Sequence, residues 1–265
     1  MKRISSRLLH LPLALAAATF CGAAVPAGAT EFKGDYTVTY LGLPVAQSSL
    51  RSRIDGKDYT IEGTVRSAGL GAIFDDTQAT LDVRGQLSGG GAVPARAHSD
   101  YRQNKKKKTL TISFSGGNVV GTQETPPPKP RAADWIAVSP SQLRSVADPL
   151  SALLVRADSI DKVCAKPLRM FDGAMRADLV LDRQKQETVK LSGYEGPSIT
   201  CNARFSPLAG YRASKKSVKF MRDKSRISIT FAPLGTTGVY APVRASVGTQ
   251  IGTLYLEARH VEMID

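Results

Sequence analysis

The chain predicts a mainly β protein: a large curved antiparallel sheet, either an open barrel or a β-spiral, wrapping one or two short helices. Three observations carry this prediction. Residues 32–122 alternate apolar and polar side chains at period two, the pattern of half-buried strands. Turn signals punctuate the alternation at hairpin spacing. At mid-chain a proline cluster and two helix starts interrupt the strands, which then resume.

The elements follow in order. Phe32, Tyr36, Val38 and Tyr40 share one strand face against Lys33, Asp35, Thr37 and Thr39, and Gly42-Leu43-Pro44 turns the chain into a second strand. Tyr59, Ile61 and Val65 alternate with Thr60, Glu62, Thr64 and Arg66. Ala79, Leu81 and Val83 alternate with Thr80, Asp82 and Arg84, and Leu110, Ile112 and Phe114 with Thr109, Thr111 and Ser113. Asp55-Gly56, Gly89-Gly90-Gly91 and Gly116-Gly117-Asn118 supply turns between them. Strands with one wet face make antiparallel sheet.

Pro126-Pro127-Pro128-Lys129-Pro130 is stiff and extended, and cannot sit in a central strand. Beyond it, Ser139-Pro140 and Asp148-Pro149 each place a capping side chain before a proline at the first helical position. Leu143, Val146, Leu150, Leu153 and Leu154 then recur at helical spacing. Strands are expected again at 168–171, 177–181, 199–205, 218–221, 227–231, 243–247 and 251–261. An apolar helical pair needs a sheet face to cover it, which favours one domain over two. Residues 30–265 are thus expected to form a single strand-rich periplasmic domain, with the proline linker and helical insertion at about 124–160.

Composition narrows the class. At 42% hydrophobic and 22% charged residues, the 265-residue chain has ordinary globular usage, which excludes disordered, collagen-like and coiled-coil readings. Its start is an export signal in form. Lys2, Arg3 and Arg7 precede a short apolar stretch, and Ala27-Gly28-Ala29 supplies a small-x-small cleavage site. Residues 1–29 are therefore expected to be a cleaved signal peptide, and Phe20 before Cys21 argues against lipidation. No later stretch reaches the length of a transmembrane helix. The expected product is periplasmic and not transmembrane after cleavage.

Removal of Cys21 leaves Cys164 and Cys201, which in an oxidising compartment most simply pair with each other. The alternative, a reactive or metal-binding thiol pair, lacks a Cys-x-x-Cys spacing or a nearby histidine.

The search for catalytic chemistry returns little. Asp75-Asp76 are neighbours that a strand would point to opposite faces. His98 and His260 are lone histidines, and Ser159-x-x-Lys162 lacks its companion motifs. No cofactor or metal site is expected. Basic clusters are more tangible. Lys105-Lys106-Lys107-Lys108 falls where a hairpin turn is expected, and Arg212, Lys215, Lys216, Lys219, Arg222, Lys224 and Arg226 form a second group. The net charge of +13 has no stacking platform of aromatics beside it, so nucleic acid is not the expected target. Envelope polyanions are the available partners, while the plainer role of the tetralysine is to keep a sheet edge unpaired.

Several strings, in order, carry a family resemblance. They are Tyr40-Leu41-Gly42-Leu43-Pro44-Val45, Gly69-Leu70 with Ile73-Phe74-Asp75-Asp76, and Asp148-Pro149-Leu150-Ser151-Ala152. Phe171-Asp172-Gly173, Cys201-Asn202-Ala203-Arg204-Phe205, and Pro242-Val243-Arg244-Ala245 leading to Gly248-Thr249-Gln250-Ile251-Gly252 follow. Together they resemble the exported proteobacterial domain-of-unknown-function 3108 family across about residues 32–260. The resemblance implies a periplasmic strand-rich protein similar in broad design to envelope proteins with a curved sheet around a helix, lipoprotein carriers among them. It transfers no activity.

Asp148 reads as a helix cap, Asp172-Gly173 as a turn, and Arg244 as a polar-face residue with Asp172 or Asp75 for partner. The functional expectation is a non-enzymatic cell-envelope factor binding a lipid, a lipoprotein, another hydrophobic or amphipathic component, or a protein partner. Tyr36, Val38, Leu150, Leu153 and Leu154 are the expected lining of its concavity, although a packed core would use the same residues. The alternative is an envelope hydrolase assembled from distant residues such as His98, Asp75 and Ser151.

Overall fold

The computed structural model describes residues 29–69, 71, 72 and 76–264. The expected signal peptide therefore lies outside the described residues except for Ala29, and so does Asp75. Seven long strands come first: β1 (Thr30–Tyr40), β2 (Leu43–Asp55), β3 (Asp58–Ser67), β4 (Thr77–Ser88), β5 (Gly91–Gln103), β6 (Lys106–Ser115) and β7 (Asn118–Thr125). An interior segment follows with β8 (Trp135–Ile136), a 3₁₀ turn (Pro140–Leu143), α1 (Pro149–Ala152), β9 (Val155–Arg156) and a second 3₁₀ turn (Ile160–Lys162). The rest is β10 (Leu168–Phe171), β11 (Arg176–Leu191), β12 (Tyr194–Ala209), β13 (Tyr211–Arg212), α2 (Lys216–Asp223), β14 (Ile227–Pro233), β15 (Val239–Thr249) and β16 (Gly252–Ile264).

All the long strands join one antiparallel sheet in the order β10-β11-β12-β14-β15-β16-β1-β2-β3-β4-β5-β6-β7, with β9 added against β15. The N- and C-terminal strands meet at its centre, where β1 pairs with β16 from Glu31 opposite Ile264 to Tyr40 opposite Leu254. The two sheet edges, β7 and β10, do not pair with each other. The interior segment bridges the gap: Val146 N–H donates to Gly117 O at 2.9 Å and Ala147 N–H to Arg169 O at 3.0 Å, while Phe171 N–H donates to Ala147 O at 2.9 Å. Edges covered in this way present less free strand for unwanted pairing.

The curl of the sheet creates two hydrophobic cores. The first takes Phe32, Tyr36, Tyr59, Ile61, Val83 and Phe114 from the N-terminal strands, with Val146 and Leu154 from the interior segment. The second takes Leu181, Ile199, Ile229 and Phe231, with Val163 and Cys164 from the same segment. The long β11–β12 hairpin folds over onto β16, and Val261 N–H donates to Ser192 O at 2.8 Å. Gly193 makes that crossing, since its φ of +82° suits glycine and a Cβ there would overlap Val261 O.

The predicted fold class is the observed one, with corrections in detail. The strand expected at 218–221 is helix α2, because Val218 and Met221 lie one turn apart and both turn inward, Val218 buried and Met221 packed against the second core, while the lysines stay in water. Local alternation over four residues cannot separate the two periods. The helix start at Ser139 yields only a 3₁₀ turn, held by Ser139 N–H to Gln142 Oε1 at 2.9 Å. The start at Asp148 yields a single α turn. Gly42 turns the chain with Leu41, and Leu43 and Pro44 already belong to β2.

Candidate functional site

Sulfur chemistry is settled by proximity: Cys164 and Cys201 form a disulfide, S–S 2.05 Å, that ties the interior segment to β12. Both residues are buried in the second core.

The tetralysine does not form one patch. Asn104-Lys105 makes the turn, and Lys106, Lys107 and Lys108 belong to β6. Alternate strand residues point to opposite faces, so Lys107 is parted from Lys106 and Lys108. Lys108 is also neutralised by Glu124 at 3.0 Å.

The expected lining is split too. Tyr36 and Leu154 are buried in the first core, Leu150 packs against that core, Leu153 packs against the second, and Val38 is half-buried outside both. These side chains fill the fold, so no single lining surface joins them. Tyr36 donates its hydroxyl to Pro242 O at 3.0 Å, and burial pushes its pKa up.

Arg244 does not meet Asp172, and Asp75, its other expected partner, lies outside the described residues. Its Nε donates to Glu257 Oε1 at 3.0 Å across the β15–β16 pair, because register sets the two opposite each other. Asp172 instead accepts from Ala174 N–H at 2.9 Å and Met175 N–H at 2.6 Å, closing its own turn. Arg244, Glu257 and Arg259 line a shallow groove of about 400 Å³ with the hydroxyls of Thr37, Ser228 and Thr230.

Of the residues of the hydrolase alternative, Asp75 lies outside the described residues, and His98 and Ser151 are not brought together. His98 Nδ1 meets Thr111 Oγ1 at 2.8 Å and its Nε2 lies 3.4 Å from Asp100, on the outer face of β5 and β6. Among the described residues His260 meets a hydroxyl, Ser192 Oγ at 3.0 Å, and no carboxylate. Ser151 sits elsewhere, in a buried polar chain that sequence reasoning missed. Asp148 accepts from Leu150 N–H at 3.0 Å and Ser151 N–H at 3.1 Å, and also from the Ser151 hydroxyl. Ser151 Oγ is 2.7 Å from Tyr59 Oη. Burial raises the Asp148 pKa despite these donors, and burial raises that of Tyr59 as well. Only the capping half of this chain was legible, in Asp148-Pro149; the third member comes from a strand 92 residues away.

Directly over Tyr59 lies a groove of about 900 Å³, at the sheet rim where the β2–β3, β4–β5 and β6–β7 turns converge. Tyr59, Leu87 and Phe114 lie buried beneath it and Val93 beside them. Gly85 permits the close approach, since a Cβ there would lie 2.8 Å from Tyr59 Oη and overlap Val93 O. Lys57, Arg84 and Arg156 line the groove, are exposed, and have no ion pair among the described residues. The one carboxylate of the lining, Asp58, accepts from Gln86 Nε2 at 2.9 Å. The result is an apolar floor under a net positive mouth, within the usual volume range of small-molecule sites. Arg156 comes from the interior segment, a placement no spacing in the sequence announces.

A half-open, barrel-like sheet around a short polar-anchored segment defines the class of protein. The family follows from the sequence: residues 35–259 match the model of DUF3108, described as a protein of unknown function, and the chain belongs to that family. Among solved structures it is similar to a beta-barrel-like protein of domain of unknown function DUF1849 from Brucella abortus, with a TM-score of 0.51 and 11% identity, over 91% of this chain and 100% of that one. At that identity the likeness is one of fold. No curated protein matches the chain.

Proposed function

We propose that the protein is a non-enzymatic periplasmic factor of the cell envelope that binds an amphipathic anion in the rim groove. The observation that carries this reading is the set of Lys57, Arg84 and Arg156, with no ion pair among the described residues, around the apolar floor of Tyr59, Leu87, Val93 and Phe114. Unpaired cations at the mouth of an apolar groove favour a ligand with an anionic head and a hydrocarbon body. Dodecyl phosphate is a suitable probe. Calorimetric titration into the mature protein is expected to show binding that weakens at least tenfold in the Arg84→Ala/Arg156→Ala variant, with dodecanol binding poorly to both. Equal affinity in the variant and the parent would reject the groove. In cells, deletion of the gene is expected to raise sensitivity to detergents.

A hydrolase reading has one arrangement in its favour, the link of His98 to both Asp100 and Thr111. Its test is turnover of a chromogenic ester that disappears in His98→Gln.

A further inference from the structure

At the end of the sheet opposite the rim groove, two neighbouring turns carry large apolar side chains into water. Leu41 and Ile251 are each 76% exposed, Tyr255 is 53% and Leu43 is 49%. Leu41 and Ile251 stand on the β1–β2 and β15–β16 turns, with Leu43 and Tyr255 in the adjoining strands β2 and β16, and the two turns meet because Tyr40 pairs with Leu43 on one side and Leu254 on the other. The Tyr40 hydroxyl donates to Ile251 O and holds the tips together. Leu41 adopts a φ of 50°, a region a bulky residue seldom occupies. A backbone that favours Gly or Asn thus displays leucine.

A basic segment adjoins the same tips. Gly248, three residues before Ile251, donates its N–H to Arg226 O at 2.9 Å and accepts from Ser225 Oγ at 2.7 Å. This fixes the end of α2 and its following loop beside the β15–β16 turn. Lys224 and Arg226 are exposed there, Lys219, Lys216 and Lys215 follow back along α2, and none of the five has an ion pair among the described residues, whereas Arg222 is paired with Asp223. Cations of this density next to protruding hydrophobes match the chemistry of an anionic bilayer surface. The apolar tips would enter the headgroup boundary while the cations meet phosphate.

We infer that this end of the sheet is a peripheral docking surface for an anionic phospholipid bilayer, inserting Leu41, Leu43 and Ile251 and placing Lys224 and Arg226 against lipid phosphates. The site is separate from the rim groove and does not depend on it.

The test is co-sedimentation of the mature protein with vesicles of phosphatidylcholine alone or with one-third phosphatidylglycerol. Binding is expected only to the mixed vesicles and is expected to fall as salt rises. Lys224→Glu/Arg226→Glu should weaken it at least twentyfold, taking about fivefold for each cation lost at the surface. Leu41→Asn/Ile251→Ser should weaken it about tenfold or more at low salt, and both positions are exposed enough for an unchanged melting temperature to verify the fold. Arg84→Ala/Arg156→Ala should leave it unchanged, which separates this surface from the groove. Absence of binding to anionic vesicles at low salt would overturn the inference. So would equal binding by Leu41→Asn/Ile251→Ser, or a parent dimer that this variant converts to monomer, since the tips would then serve a second copy of the chain.

Discussion

The two cores solve the same problem by different chemistry. Each must hold a stretch of the interior segment whose own hydrogen-bonded structure amounts to single turns and two-residue strands. In the first core the pin is polar: Asp148 caps α1, and through Ser151 it reaches Tyr59 on β3. In the second the pin is covalent, Cys164 to Cys201 on β12. The polar pin acts in the folded state, where its hydrogen bonds must offset the desolvation of a carboxylate. The covalent pin acts largely on the unfolded chain, by closing a loop across a sequence separation of 37 residues. One core should therefore answer to pH and the other to redox state.

The largest expected effect breaks the covalent side. Cys164→Ala/Cys201→Ala should lower stability by about 3–4 kcal/mol on the loop-closure estimate. Denaturant titration with reductant should bring the parent down to nearly the same value and leave the variant unmoved. A difference below about 1 kcal/mol would place the anchoring of Val163 and Leu168 in packing alone.

The next effect sharpens the polar side. Asp148→Ala removes a helix cap and strands the Ser151 hydroxyl, at a cost of about 2–3 kcal/mol near neutral pH. Asp148→Asn keeps an acceptor for the two backbone N–H groups and should cost less. The sign of the pH dependence follows from the raised pKa of Asp148, whose cause is burial. Between the ordinary carboxylate value and the raised one, the folded state holds a proton that the unfolded state has lost, so stability falls as pH rises through that window. Acidification from neutral pH should thus improve the parent relative to Asp148→Asn until the ordinary carboxylate value is reached. A difference between the two that stays flat from pH 7 to 4, or that moves the other way, contradicts a buried Asp148. The cysteine-free variant should keep this pH slope, because its loss touches the other core.

The same contrast shows what could be read in the sequence. Strand alternation and turn glycines are local signals, so β1 to β4, β6 and the sheet class were legible, and two cysteines in a chain with an export-like start have one simple pairing. Cap chemistry is local too, which is why Asp148 was readable while its link to Tyr59 was not. The groove escaped because its cations come from Lys57, Arg84 and Arg156, three segments that only the curl of the sheet brings together. The tetralysine misled for the opposite reason: a run that looks like one patch is divided by the strand that contains it. Residues 218–221 failed because four residues of alternating pattern fit a helix turn equally well.

The smallest effect concerns an ion pair that belongs to neither pin. Arg244 and Glu257 are 38% and 40% exposed at their side chains and face each other on the central strands of the sheet. Water and salt screen a pair so placed, and its coupling should be about 0.2–1 kcal/mol in a cycle of Arg244→Ala, Glu257→Ala and the double variant. Raising the salt concentration should shrink that coupling, whereas the disulfide contribution should not respond. Arg259 lies 3.5 Å from the other oxygen of Glu257, so Arg244→Ala leaves the carboxylate a second cation and should cost less than Glu257→Ala. The reverse order would mean that Arg244 is needed for something other than Glu257, and the adjoining hydroxyls of Thr37 and Thr230 would be the first place to look.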